Sequence, residues 1–444
     1  MSCESSKMKI AFDIGGTSKM KKILMCLILS VLTLADFVVA GDDAVNPGAV
    51  SNWPAFRGTG GQPVSADANT SISWDAKSGK GILWKADIPL PGSGSPIVFG
   101  DKVLVSGAGG NQGAIFCFDS KSGKLLWKGA ITLKGKPDLF EEETTTFAPS
   151  TPVTDGKRVF AIFATGAIAA FNLDGAAAWS TDLGLPEISY GYASSPTLFN
   201  NLLIVQHDQN DEKGAVAAYD TVTGKEVWRT KRSMGASWCS PAVIETSKGP
   251  QIILVSCGGV AAYDPKDGHE IWVAKGKCSD IVPSPSFSRG LVIVTLGGSG
   301  TMAIRPDGAG DVTKTHVVWQ NGEATSEVAS PVAYGDFVFS ASSSLLCMNI
   351  SDGKKLGERE LDGQFYASPI VAGGKIYLVN RDGAAMILKA DKTMEVLGKT
   401  VFGEPVDATP AVSGACVFVR TLKRLICIAP AGAEAAPLPK EKTK

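Results

Sequence analysis

The chain has 444 residues, is 44% hydrophobic and 8% aromatic, and carries a formal net charge of -1. That balance belongs to a globular protein with ample material for a core. It argues against nucleic acid and against an anionic membrane surface as partners, because both demand a basic excess.

The first forty residues differ from everything after them. Met20-Lys21-Lys22 is basic, residues 23–34 are apolar, and Val38-Val39-Ala40 supplies small residues ahead of the acidic Gly41-Asp42-Asp43. This is the pattern of a secretory signal, so residues 1–40 are assigned as a signal-peptide region and the mature protein is placed in the periplasm or outside the cell. Asp36 interrupts the apolar run and leaves it too short to span a bilayer, so no stable membrane span is expected after cleavage. Cys26 sits early in the run behind bulky Met25, which argues against a lipid anchor. Upstream, Asp13-Ile14-Gly15-Gly16-Thr17 resembles the phosphate-binding turn of sugar kinases of the actin-like ATPase superfamily, yet no nucleotide-binding domain follows; chance, or a true start at Met20, accounts for it. Residues 41–80 form an N-terminal extension.

From there a repeat takes over. A Ser-Pro or Thr-Pro pair opens a short apolar run at Ser95, Thr151, Ser195, Ser240, Ser284, Ser330, Ser368 and Thr409, at intervals of 38 to 56 residues. Units of that length are four-stranded propeller blades. The third unit shows the four segments at 195–198, 202–206, 215–219 and 225–230, with Asp220 and Thr223-Gly224 making the last turn. A tryptophan follows that turn at a fixed offset (Trp84, Trp127, Trp179, Trp228, Trp272, Trp319), placed to pack between neighbouring blades. In units 6 and 7 its place falls at Gly357 and near Val396.

The count also predicts the closure. The last unit has only three segments (409–412, 415–419, 425–428) before a Pro/Ala/Lys tail at 430–444, whereas residues 81–87 form a fourth strand with no blade before it. The expected fold is therefore all-β: an eight-bladed β-propeller of four-stranded antiparallel blades over residues 81–429, closed by an N-terminal strand that completes the last blade.

Candidate chemistry is sparse. Cys117, Cys347 and Cys427 occupy the third-strand position held elsewhere by Ala170, Ala218, Ala262 and Ala303, and read as small buried residues. A four-residue loop at 420–423 would set Cys416 opposite Cys427, within disulfide range. The acidic stretch His207-Asp208-Gln209-Asn210-Asp211-Glu212 and the Gly/Asp turn at 307–311 offer oxygen ligands for calcium, but solvated hairpin loops explain both. No serine-hydrolase elbow, zincin helix or Walker loop is present, so no catalytic and no metal residue is assigned.

The Ala-x-Asp-x-x-Thr-Gly-x-x-x-Trp repeat, at Ala218 to Trp228 and approximately at Cys117 to Trp127 and Ala262 to Trp272, resembles the tryptophan-docking motif of pyrroloquinoline-quinone-like (BamB-like) propellers. The segments Trp53-Pro54-Ala55-Phe56-Arg57-Gly58, 304–316 and Arg420-Thr421 look like those of secreted propellers from planctomycete-type bacteria. Two branches of the superfamily give rival implications. Quinoprotein alcohol dehydrogenases imply pyrroloquinoline quinone with calcium in the central funnel, a catalytic Asp and commonly a vicinal disulfide; here Trp238-Cys239 is the nearest thing to a Cys-Cys pair, and the blades are compact. The BamB lipoprotein has the same compact blades without a catalytic site, but with a lipid anchor not found here. The resemblance favours an exported non-catalytic scaffold without a cofactor, binding a protein or polymer of the cell envelope, with the quinone-dependent dehydrogenase as the alternative.

Loops that join the fourth strand of one blade to the first of the next, and second to third strands within a blade, share one rim. They carry Asn111, Tyr190, Tyr192, His207, Asp208, Trp238, Glu327, Phe365, Tyr366, Arg381, Asp407 and Arg420, a mixture of aromatics and charges suited to recognition. Tyr192, Trp238 and Tyr366 lie just before or near the repeat's Ser-Pro, where packing between blades is the competing role.

Overall fold

The computed structural model describes residues 51–136, 146–209, 213–278 and 281–433. The signal region, the turn at 13–17, residues 210–212 of the acidic stretch and most of the tail lie outside these residues.

Eight antiparallel sheets follow one another along the chain, each with its four main strands in hairpin order. The third blade is Thr197–Phe199, Leu202–Gln206, Ala215–Asp220 and Glu226–Lys231. Its second and third strands are buried on both faces, whereas the fourth alternates between exposed and half-buried residues. Sheets stacked against a neighbour on each side must be apolar on both faces, so the core lies between blades: Leu203 and Val205 of blade 3 pack with Phe160 and Ile162 of blade 2. The closure is as the sequence predicts, since Ile82–Asp87 pairs antiparallel with Arg424–Ile428.

At the inner radius the repeated hydroxyls form a complete circle. The backbone N–H of Ser95 donates to Thr151 Oγ1, that of Thr151 to Ser195 Oγ, and so on through Ser240, Ser284, Ser330 and Ser368 to Thr409, whose own N–H returns to Ser95 Oγ. All eight bonds measure 2.9–3.0 Å and are buried. Outside this circle the indoles link blades a second time. Trp179 of blade 2 donates from Nε1 to Thr221 O in the last turn of blade 3, and Trp84, Trp127, Trp228 and Trp319 make the equivalent bond to the following blade. The turn glycine is required by this contact: a Cβ on Gly224, at φ 69, would fall 2.5 Å from the Trp179 ring.

The structure departs from the expected pattern at five places. Blades 4 and 7 gain short parallel edge strands, Gly310–Asp311 outside Glu270–Lys275 and Val64–Ser65 inside Ile370–Ala372. The first of these covers Trp272, whose indole N–H turns back to Gln251 of its own blade. In blade 7 the tryptophan position, expected near Val396, falls at Gly398, which opposes Ile387 as Trp228 opposes Ala218. A side chain there would collide with the Ile72 carbonyl. In blade 8, Cys427 opposes Phe418, so Cys416 is not its direct partner and both thiols are free. A hydrogen bond between them lowers the pKa of Cys416 and raises that of Cys427.

The last departure is the extension, whose described part is built into the disc. Trp53 pairs with Val98 of blade 1, Pro54 O accepts from Thr154 of blade 2, Gln62 Oε1 accepts from Phe287 of blade 5, and Pro63 O accepts from Val371 of blade 7. This segment crosses the end of the channel opposite the predicted rim. Arg57 is 1% exposed and donates from Nη1 to Ser284 O and Pro285 O, at 3.1 and 2.9 Å, and from Nη2 to Pro331 O.

The circle makes a direct prediction. Ser240→Ala strands the buried Ser195 N–H and should cost about 1–3 kcal/mol in chemical unfolding. Ser240→Thr, the residue type already present at 151 and 409, should recover most of it; equal losses in both variants would contradict the role of the hydroxyl.

Candidate binding face

The rim loops emerge from one end of all eight sheets, and the structure divides the predicted residues into a sealed half and an open half. On blades 2 to 4 they are buried, except for Tyr190, which is 37% exposed. Tyr192 is 4% exposed and presents its ring edge-on to His207 at 5.8 Å, while Gln209 donates to its hydroxyl. His207 sits 3.4 Å from the Tyr219 hydroxyl; burial, aided by the charge of Arg229, lowers its pKa to about 3 and keeps the imidazole neutral. Asp208 takes a two-pronged bond from Arg232 at 2.8 and 3.0 Å and further bonds from Gln206 and Ser256. Arg232 also reaches the Tyr263 hydroxyl at 2.6 Å. His207 and Asp208 are thus part of a closed polar network and not of a solvated loop.

Trp238 is buried against Tyr190, with ring centroids 5.1 Å apart in an edge-on arrangement. Arg420, 1% exposed, turns inward and donates from Nη1 to Gly94 O and Ser106 O. No carboxylate among the described residues pairs with it, and burial lowers its pKa to about 9. Asn111 and Glu327 are exposed and stand apart from these groups.

Blades 6 to 8 carry the open half. Arg381, at the end of the second strand of blade 7, lies 4.0 Å from the Tyr366 ring centre and bonds Asp407 through Nε at 2.9 Å. Stacking and the ion pair fix both the guanidinium and the ring while leaving Tyr366 40% exposed. Immediately beside them, Phe365 and Asn380 help to line a cavity of about 450 Å³, with Trp74, Met386, Asp362 and Lys399. That volume is in the range of ordinary ligand sites, and its walls combine aromatic rings with both signs of charge. Asn380 is spent on structure, donating to Asp362 O and accepting from Ala384 N–H, so it shapes the wall.

Sequence reasoning missed Trp74 and Arg57. Both lie in the extension, where no repeat assigns a position, and the only signal was the Trp53 to Gly58 motif itself.

The buried imidazole gives a pH test. Below pH 6.5 the unfolded chain protonates His207 while the folded one does not until about pH 3, so stability falls as pH falls through that window. Relative to His207→Gln, the parent should lose on the order of 4 kcal/mol more across it, read by urea unfolding. Parallel profiles would refute the assignment.

With this geometry in hand, comparison with known proteins is informative. The sequence matches the family described as outer membrane protein assembly factor BamB over residues 50–193, 111–344 and 310–394. No curated protein matches the chain. Among solved structures, quinohemoprotein alcohol dehydrogenase ADHIIG from Pseudomonas putida HK5 aligns at TM-score 0.62 and 12% identity, covering 89% of this chain and 82% of that one. The quinohemoprotein alcohol dehydrogenase of Comamonas testosteroni aligns at 0.54 and 12%, over 88% and 82%. A computationally designed protein aligns at 0.55 and 12%, over 78% and 98%. At such identity these likenesses establish the fold alone.

Proposed function

The chain belongs to the family of outer membrane protein assembly factor BamB, and from that premise we propose that it is an exported, non-catalytic propeller that binds a protein or polymer of the cell envelope. The observation that carries this reading is the open sector of the rim, where Tyr366, Arg381 and Asp407 are held rigid beside the cavity of about 450 Å³. A site fixed before its partner arrives loses little ordering entropy on binding. Export rests on the signal pattern at 20–40, and no helix among the described residues is long and apolar enough to cross a membrane.

The residues do not fit the alternative, a calcium-bound quinone. Calcium needs six to eight oxygen ligands, largely carboxylate. Asp208 is the one buried carboxylate among the described residues, and Arg232, Gln206 and Ser256 already hold it. The buried cations Arg57 and Arg420 are each held by backbone carbonyls and not by carboxylates among the described residues.

Partner capture from envelope extract tests the reading. Tyr366→Ala with Arg381→Ala should weaken the captured complex by more than about 1 kcal/mol, whereas Lys121→Ala with Lys266→Ala, in exposed turns of the opposite face, should not. Equal affinity in folded rim variant and parent would reject the site. Steady dye reduction by the mature protein with quinone, calcium and alcohols or aldoses would reject the non-catalytic assignment.

A further inference from the structure

Three cysteines gather at the rim end of blade 4. Cys239 precedes its first strand, Cys257 follows its second, Gly249–Ser256, and Cys278 follows its fourth, Glu270–Lys275. All three pack with one apolar cluster. The loops that carry them are joined by backbone bonds: Gly258 N–H donates to Met234 O at 2.7 Å, Gly276 N–H to Gly258 O at 3.0 Å, and Cys278 N–H to Cys257 O at 3.2 Å.

The last of these bonds decides which thiols can meet. Covalent lengths and one N–H···O bond hold the Cα atoms of Cys257 and Cys278 to about 6.5 Å or less, inside the span that a disulfide bridges. Burial then separates the three thiols. Cys239 is fully buried and donates from Sγ to Pro283 O at 3.1 Å, and burial pushes its pKa up, so it stays protonated and screened from reagents. Cys257 and Cys278 are only partly buried, which leaves both within reach of an oxidant. The other cysteines of the described residues lie on blades 1, 6 and 8.

We propose that Cys257 and Cys278 form a disulfide once the chain meets an oxidising compartment, a step that rests on the export read from residues 20–40. The oxidant is a second disulfide, of a small molecule or a protein. One thiolate attacks a donor sulfur and expels the other; the second thiolate attacks the mixed disulfide and expels the remaining donor sulfur. The pair loses two protons and two electrons, and the donor leaves as two thiols. The bridge fastens the segment leading to blade 5, in which Ile281 O accepts the N–H of Trp238, and so holds the sealed side of the rim to the turn of blade 4.

Peptide mapping tests the pairing. The mature chain is purified reduced, treated while folded with oxidised glutathione, alkylated and cut with trypsin. Cleavage after Lys248, Lys266, Lys277 and Arg289 isolates Cys257 in peptide 249–266 and Cys278 in peptide 278–289. The two are expected as one species, two hydrogens lighter than their sum, which dithiothreitol separates. Oxidation should also raise the Tm of the parent and leave that of Cys278→Ser unchanged. The same map on protein isolated from the cell tests export separately: a pair that joins in vitro but arrives there alkylated refutes export and not the pairing. Both peptides alkylated after oxidation of the folded chain, or either cysteine joined to a different one, would overturn the proposal.

Discussion

Everything in this molecule depends on a circle of eight hydrogen bonds, each joining the N–H of one blade's Ser or Thr to the hydroxyl of the next. The constraint is severe because it closes. Every blade must set its hydroxyl at the same radius and height, and a single misplaced blade would leave two buried groups unpaired, at about 1–3 kcal/mol for each. The proline that follows each Ser or Thr fits this demand, since it fixes the backbone at the strand start and brings no N–H that needs a partner. A second closure, by Ile82–Asp87 in blade 8, acts at the outer radius. Inner and outer closures involve distant parts of the chain, so neither is complete until the whole ring has folded.

The indoles show how the same architecture makes room for function. Where Trp84, Trp127, Trp179, Trp228 and Trp319 dock on the next blade, inter-blade space is filled by a bulky residue with a satisfied N–H. Blades 6 and 7 carry Gly357 and Gly398 instead, and there other parts of the chain move in: the Lys392 carbonyl against the first, Ile72 against the second. Trp74 follows Ile72 into the same region, meeting Phe402 at 5.4 Å and lining the cavity. The open sector of the rim therefore lies on the blades where the repeat has decayed, a link between sequence degeneracy and surface shape that the packing itself explains.

Legibility in the sequence followed the repeat. Blade number, strand order, the closing strand and the docking tryptophans could all be read, because each recurs and one copy checks another. Single-copy features could not. Arg57 looks like any surface arginine until the extension is seen to cross the channel, and His207 and Asp208 look like loop residues because nothing local announces Arg232, which lies 24 residues beyond Asp208. The Cys416 and Cys427 register failed for a different reason: the turn joining their strands lies one residue further along than the spacing suggested, with Arg420 opposing Leu425.

The distribution of charge then separates structure from recognition. Arg57, Arg232 and Arg420 are all buried, and each is held by fixed oxygens that leave it no freedom to meet a partner. Arg381 differs. It is only partly buried, one Nε bond to Asp407 orients it, and Tyr366 supports it from one side, so part of the side chain stays exposed to solvent. A guanidinium braced in this way presents a planar donor set without the entropy cost of ordering a long side chain on contact. Because the extension covers the opposite end of the channel, the rim bearing Arg381 is the end at which side chains from several blades can converge on one partner.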